Sequence, residues 1–321
     1  MASLTDVGGL KVGHYSDYNA LTGCTVILAE KGAVAGVDVR GSAPGTRETD
    51  LLNPINKIDR VHAVLLTGGS AYGLDAATGV MKFLEEKNIG FNVGAGVVPI
   101  VPTAVLFDLH IGNPQVRPDA KAGYLACQNA SAGPVEEGNV GAGTGATVGK
   151  LLGPEYCMRG GLGSWSHTLP NGVVIGALVA VNSFGDVRDH LTNQILAGTR
   201  SKEKTQLIDS LGQMLAGFDV QEAFGTNTTI GVVATNAKLD KTQATKVAQM
   251  AQDGLARSIT PVHTMFDGDT IFALSTGELE MDINTIGTVA AYVLAEAVKR
   301  AIINAVSVDG VPSYRHFFQH K

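Results

Sequence analysis

The sequence predicts an α/β protein arranged as an αββα sandwich, two packed sheets flanked by helices. Three observations carry that expectation. Short, near-continuous apolar runs such as 61–66 and 172–181 read as strands buried on both faces. Segments 244–259 and 285–306 are Ala-rich and apolar along one face or most of the circumference, as helices covering a sheet must be. Forty glycines beside only 6% aromatic residues suit close packing of helices on sheets. A doubly wound parallel sheet is the alternative, because periodicity alone does not separate the two.

In chain order, residues 24–29 and 33–39 form two β-like runs joined by Glu30-Lys31-Gly32, which reads as a hairpin. A small, polar loop follows over 40–50. The strand over 61–66 runs into Gly68-Gly69-Ser70-Ala71-Tyr72-Gly73, where Ser70 is placed to cap a helix carrying Leu74, Ala77, Met81 and Leu84 at helical spacing. Residues 97–106 are apolar but contain Pro99 and Pro102, so they form an edge strand or an irregular segment. Pro118-Asp119 opens another helix. Beyond the glycine-rich stretch 138–150 and the strand over 172–181, residues 186–205 are polar and read as a surface connection. Leu207, Ile208, Leu211 and Leu215 indicate a helix ending near Gly217. Asp240 with Gln243 forms a capping box for the helix that starts there. A short strand over 270–274, the long 285–306 helix and a peripheral tail complete the chain.

The formal net charge of −6, with no local Lys/Arg cluster, gives no footprint for nucleic acid. No basic-then-apolar leader opens the chain, and no apolar run is long enough for a membrane span, so a cytoplasmic protein without membrane or nucleic-acid partners is expected. Cys24, Cys127 and Cys157 are far apart and odd in number, which fits free, buried thiols. The histidines form no H-E-x-x-H, and no metal or other cofactor is expected.

The segment Gly225-Thr226-Asn227-Thr228-Thr229-Ile230 passes from polar and flexible directly into an apolar β-run. A hydroxyl at the mouth of a buried strand is well placed for a nucleophile. If the Asn227–Thr228 bond is cut, Thr228 gains an α-amine that can act as its base. A plain β-forming Thr pair is the competing reading. Asp267-Gly268-Asp269 puts two carboxylates on one side of an extended chain, able to position a hydroxyl and an ammonium, or else forms a D-G turn. Asn182, after the strongest strand, is either turn chemistry or an oxyanion donor. Lys150 ends the glycine-rich stretch as a solvated residue or a desolvated one that perturbs its neighbours. Residues 141–150 are not a nucleotide site: position 144 is Thr, position 151 is Leu, and no strand precedes the G-x-G-x-x-A match.

Together these pieces, with Thr235-Asn236, Pro261-Val262-His263-Thr264 and 267–273, resemble the self-processing peptidases typified by the D-/L-aminopeptidase–esterase and the β-peptidyl aminopeptidases. Within that group the chain is most similar to the nylon-oligomer (6-aminohexanoate oligomer) endo-hydrolase, sharing Thr at 228 where the aminopeptidases generally have Ser. The resemblance covers about 6–306. It implies the αββα fold, one domain cut between Asn227 and Thr228 into 1–227 and 228–321, and homo-oligomers, often tetramers of such heterodimers. Thr228 would be the nucleophile, Asp267 and Asp269 would hold its hydroxyl and amine, Lys150 would lie nearby, and Asn182 would donate to the oxyanion. Tyr72, Gly69 and Ser70 would line a cleft for a short peptide or oligoamide. An ornithine-type acetyltransferase and an uncut binding protein are the alternatives.

Overall fold

In the computed structural model, residues 2–220, 227–308 and 310–319 are described. Gly225 and Thr226, which lead into Thr228, and Asp309, His320 and Lys321 of the tail lie outside them.

The organising element is one long strand, Thr22–Val39. Its first half pairs with Lys11–Asp17, its second with Thr270–Leu279, and Arg60–Thr67 pairs along both, with a register break between Leu28 and Ala33. The expected hairpin at Glu30-Lys31-Gly32 is therefore wrong. The chain does not reverse there, because the polar triplet falls where this strand passes from one layer to the other, and Gly32, at φ +78, supplies the irregularity. From this strand one arm of sheet runs through Thr270–Leu279, Thr228–Ala237 and Val174–Asn182 to Gly161–Thr168; the other runs through Arg60–Thr67 to Thr103–Val105 and Thr46–Arg47. Residues 97–106 are irregular, as expected, with the short pieces Val97–Val98 and Thr103–Val105 on either side of Pro99 and Pro102.

Side-chain alternation then makes four layers. Leu178, Ala180, Ile230, Val232, Phe272 and Leu274 from one arm meet Ile27, Val64 and Leu66 from the other in a shared core. The opposite faces, period two out of phase, bury Val179, Val181, Val233, Ile271 and Ala273 on one side and Cys24, Val26, Leu28, Ala63 and Leu65 on the other. Helices α1 (Ala76–Glu86) and α2 (Ala120–Gln128) cover the second of these faces. After the short α3 (Ser210–Leu215), helices α4 (Lys241–Ser258) and α5 (Ile283–Ile303) cover the first; α6 (Tyr314–Gln319) lies in the tail. The expected sandwich is present, its two sheets joined through one shared strand.

The Asp240/Gln243 box caps α4 as anticipated, and Asp119, at the expected helix start, caps α2. Ser70 does not cap: it sits in left-handed backbone with Gly69 as the N-cap of a 3-10 turn, Ser70–Asp75, that precedes α1. Residues 186–205 are only in part a surface connection: 191–194 and 202–205 are exposed, but much of the rest is not. Asp186, Arg188, Thr199 and Arg200 are buried, and Asp186–Arg188 and Ile195–Ala197 are strands; Asp186 accepts from Thr199 N and Ser210 N, so the polarity is spent internally. Among the described residues no helix is long and apolar enough to cross a membrane.

α4 lies so close to the shared strand that a Cβ at Gly36 would sit 2.2 Å from Thr245 N and 2.4 Å from Ala244 C. Gly36→Ala should lower stability by about 1–3 kcal/mol through overpacking against backbone that cannot rotate away. Urea denaturation reads this directly, and an unchanged midpoint would contradict the packing described.

Candidate active site

Several strand ends meet at one end of the first arm. Thr228 opens its strand opposite Asn182, the last residue of Val174–Asn182, and in the parallel neighbour Asp267, Gly268 and Asp269 immediately precede Thr270. The backbone also pairs Asn227 with Asp267. Asn227, Thr228, Thr229, Asp267 and Asp269 are all buried.

The Asn227 carbonyl receives two donors. The Gly268 amide donates to it at 3.0 Å, and the Thr228 hydroxyl donates to the same oxygen. Gly268 is required by space: a Cβ would lie 2.6 Å from Ala43 O and 2.9 Å from Thr228 Oγ1. The D-G turn reading fails on this point, since the segment packs tightly under the 40–43 loop, whose amides donate to the Asp267 and Asp269 carbonyls.

The two aspartates do come together, but they accept hydrogen bonds from groups other than the Thr228 hydroxyl. Asp269 accepts from Thr229 N at 2.7 Å, His263 Nδ1 at 2.8 Å and His263 N at 3.2 Å. Asp267 accepts from Thr264 Oγ1 at 2.6 Å, Thr264 N at 2.9 Å and Phe184 N at 3.4 Å. Burial and then the charge of Asp269 push the Asp267 carboxyl up to about 6, outweighing those hydrogen bonds. His263 and Thr264 were visible in the sequence only as part of a motif, without a role.

Asn182 is wholly buried and is no turn residue. Its Oδ1 accepts from Thr147 N at 3.0 Å and Lys150 Nζ at 3.1 Å, and its Nδ2 donates to Phe107 O at 2.8 Å. Lys150 is desolvated, and burial brings its ammonium down to about 8. It lines a cavity of about 50 Å³ with Phe107, Asp108, His110, Thr147 and Cys157. Asp108, pushed up to about 6 by burial, accepts from Gly69 N at 2.7 Å and Thr22 Oγ1 at 2.7 Å. Contacts thus run from Gly69 through Asp108 and the cavity to Lys150, Asn182 and Thr228. Tyr72 stands outside this chain, 64% exposed, its ring 4.1 Å from the Arg117 guanidinium carbon; Ser70 bonds Leu106 O through its amide. Sequence reading missed Phe107, Asp108 and Thr147, which lie 75, 74 and 35 residues from Asn182 and carry no local motif.

The profile of peptidase family S58 matches residues 2–315. An uncharacterized aminopeptidase of Mycobacterium leprae is 45% identical, covering 99% of this chain and 94% of its own. The 6-aminohexanoate-oligomer endohydrolase of a Kocuria species is 30% identical over 92% of this chain and 84% of its own. Among solved structures, the L-aminopeptidase D-Ala-esterase/amidase of Ochrobactrum anthropi, described as a variant of the Ntn-hydrolase fold, superposes with a TM-score of 0.70 at 21% identity, covering 95% of this chain and 86% of that one. A β-aminopeptidase of a Burkholderia species gives 0.69 at 24%, over 99% and 92%. These two likenesses establish the fold.

Between pH about 8 and the ordinary lysine value of 10.5, the unfolded chain still holds a proton that folded Lys150 has released. That site therefore makes stability rise with pH across the window and costs stability below it. Lys150→Met removes the dependence. Urea unfolding at about pH 7.5 and about pH 10 should show wild type gaining on the variant as pH rises; a constant difference would mean the amine is not desolvated.

Proposed function

The chain belongs to peptidase family S58, and we propose that it is a self-processing amide hydrolase whose nucleophile is Thr228. The observation that carries this reading is the Asn227 carbonyl, held between the Gly268 amide and the Thr228 hydroxyl. In the uncut chain Oγ1 of Thr228 attacks that carbonyl carbon. The Gly268 N–H stabilises the oxyanion, a contribution of about 3–4 kcal/mol in sites of this type. The C–N bond breaks, its nitrogen takes the hydroxyl proton, and the resulting ester is hydrolysed by water. Asn227 is left with a carboxylate and Thr228 with a free α-amine.

The same hydroxyl then attacks a substrate amide, with the α-amine as base. Of the two N–H bonds of Asn182 Nδ2 one is taken by Phe107 O, leaving the other for the oxyanion. Lys150, bonded to Asn182, is a buried amine that exchanges its proton near pH 8, suited to relaying one. Asp267 and Asp269 act by fixing the backbone around the nucleophile. Substrates are short peptides or linear amides such as 6-aminohexanoate oligomers, entering past the loop that carries Gly69, Ser70 and Tyr72.

The pieces 1–227 and 228–321 form one unit. Two strands of the smaller piece, Thr228–Ala237 and Thr270–Leu279, lie side by side between strands of the larger one, so the cut leaves the pair hydrogen-bonded to it at both edges. A cytoplasmic tetramer of processed heterodimers completes the reading.

Denaturing electrophoresis of the purified protein should give two bands with a new N-terminus at Thr228, and activity on amino-acid p-nitroanilides or 6-aminohexanoate oligomers. Thr228→Ala should stay intact and inactive. An uncut, active protein would falsify the mechanism. Gly268→Ala should slow processing by roughly 100-fold or more by displacing both the oxyanion donor and Oγ1; mass spectrometry of freshly purified protein follows the intact species, and normal processing would exclude Gly268 from this role.

A further inference from the structure

Two residues between α4 and the Thr270 strand hold both carboxylates of the site. Thr264 grips Asp267 through its hydroxyl and amide, and His263 grips Asp269 through its ring and amide. Asp269 in turn accepts from the Thr229 amide, the first peptide N–H after the nucleophile. His263 Nδ1, Asp269 and Thr229 N therefore form a hydrogen-bonded line ending one residue from Thr228. His263 adopts left-handed backbone, φ +56, an uncommon conformation for a residue with a side chain and one that aims its ring at this line. Among the described residues its buried Nε2 has no hydrogen-bond partner, and the ring's bond is the one from Nδ1 to Asp269.

The geometry points to His263 as a positioning residue: its Nδ1–H fixes the Asp269 carboxylate, which fixes Thr229 and so the placing of the Thr228 hydroxyl. This rests on Thr228 being the nucleophile. The ring touches no reacting atom, and its effect is orientation of a neighbour. Misplacing a nucleophile by a fraction of an ångström affects the chemical step and leaves substrate affinity largely unchanged.

His263→Gly suits the backbone and keeps the 263 amide but deletes the ring; His263→Asn also suits left-handed backbone, and its Nδ2 takes the place of Nδ1. Full-length protein carrying each change is followed for band conversion, for kcat and KM on an amino-acid p-nitroanilide, and for its thermal midpoint. The Gly variant should lose roughly tenfold or more in processing rate and kcat with KM within about twofold, and Asn should restore both to within about threefold of wild type. Wild-type rates in the Gly variant, or an Asn variant as slow as Gly, overturn the assignment. Should the Gly variant not fold, the Asn variant decides: near-wild-type rates support the assignment and a tenfold loss removes it. Thr228→Ala separates the two layers of inference. Activity persisting in it ends the nucleophile reading, whereas an inactive Thr228→Ala beside unaffected His263 variants ends this one alone.

Discussion

The Gly268 amide bond to the Asn227 carbonyl is the contact on which the site depends. It requires Asp267-Gly268-Asp269 to run parallel to the chain entering the Thr228 strand, at van der Waals distance from the 40–43 loop. That closeness leaves no room for a side chain at 268. It also forces the flanking aspartates inward, where they find backbone and hydroxyl donors. The polar site is therefore a product of strand packing as much as of its own chemistry.

Burying so many polar groups is costly unless each is paired. Asn182 answers this by serving three partners from loops distant in sequence. Lys150 is only partly compensated: its acceptors are both on Asn182, and desolvation still depresses its charged form. Asp267 and Asp108 stand in the corresponding position for acids. Acids pushed up and an amine brought down narrow the gap between them, which favours proton exchange near neutrality. The protein thereby trades stability for reactivity within one small region.

Much of this was legible in the sequence, for identifiable reasons. Periodicity and glycine content led to the layered fold, and capping residues marked α2 and α4 because those signals are local. Thr228, Asp267 and Asp269 stood out because a polar segment meets an apolar run and two carboxylates share a side. The failures share the opposite property. Glu30-Lys31-Gly32 resembles a turn, yet the strand continues because its far half pairs with Thr270–Leu279, some 240 residues away. Residues 186–205 look solvated, but their partners are other buried polar groups. Phe107, Asp108 and Thr147 reach Asn182 and the cavity only through tertiary folding.

The interleaving of Thr228–Ala237 and Thr270–Leu279 among strands of the preceding region has a consequence for how such a molecule is made. While the chain is continuous, these strands find their slots as tethered segments, at the high local concentration a linker enforces. If the chain is cut at 227 as proposed, reassembly after unfolding becomes an encounter between two separate species and depends on their dilution. Maturation would thus write a direction into the molecule's history, assembling once from a single polypeptide and returning poorly from its parts.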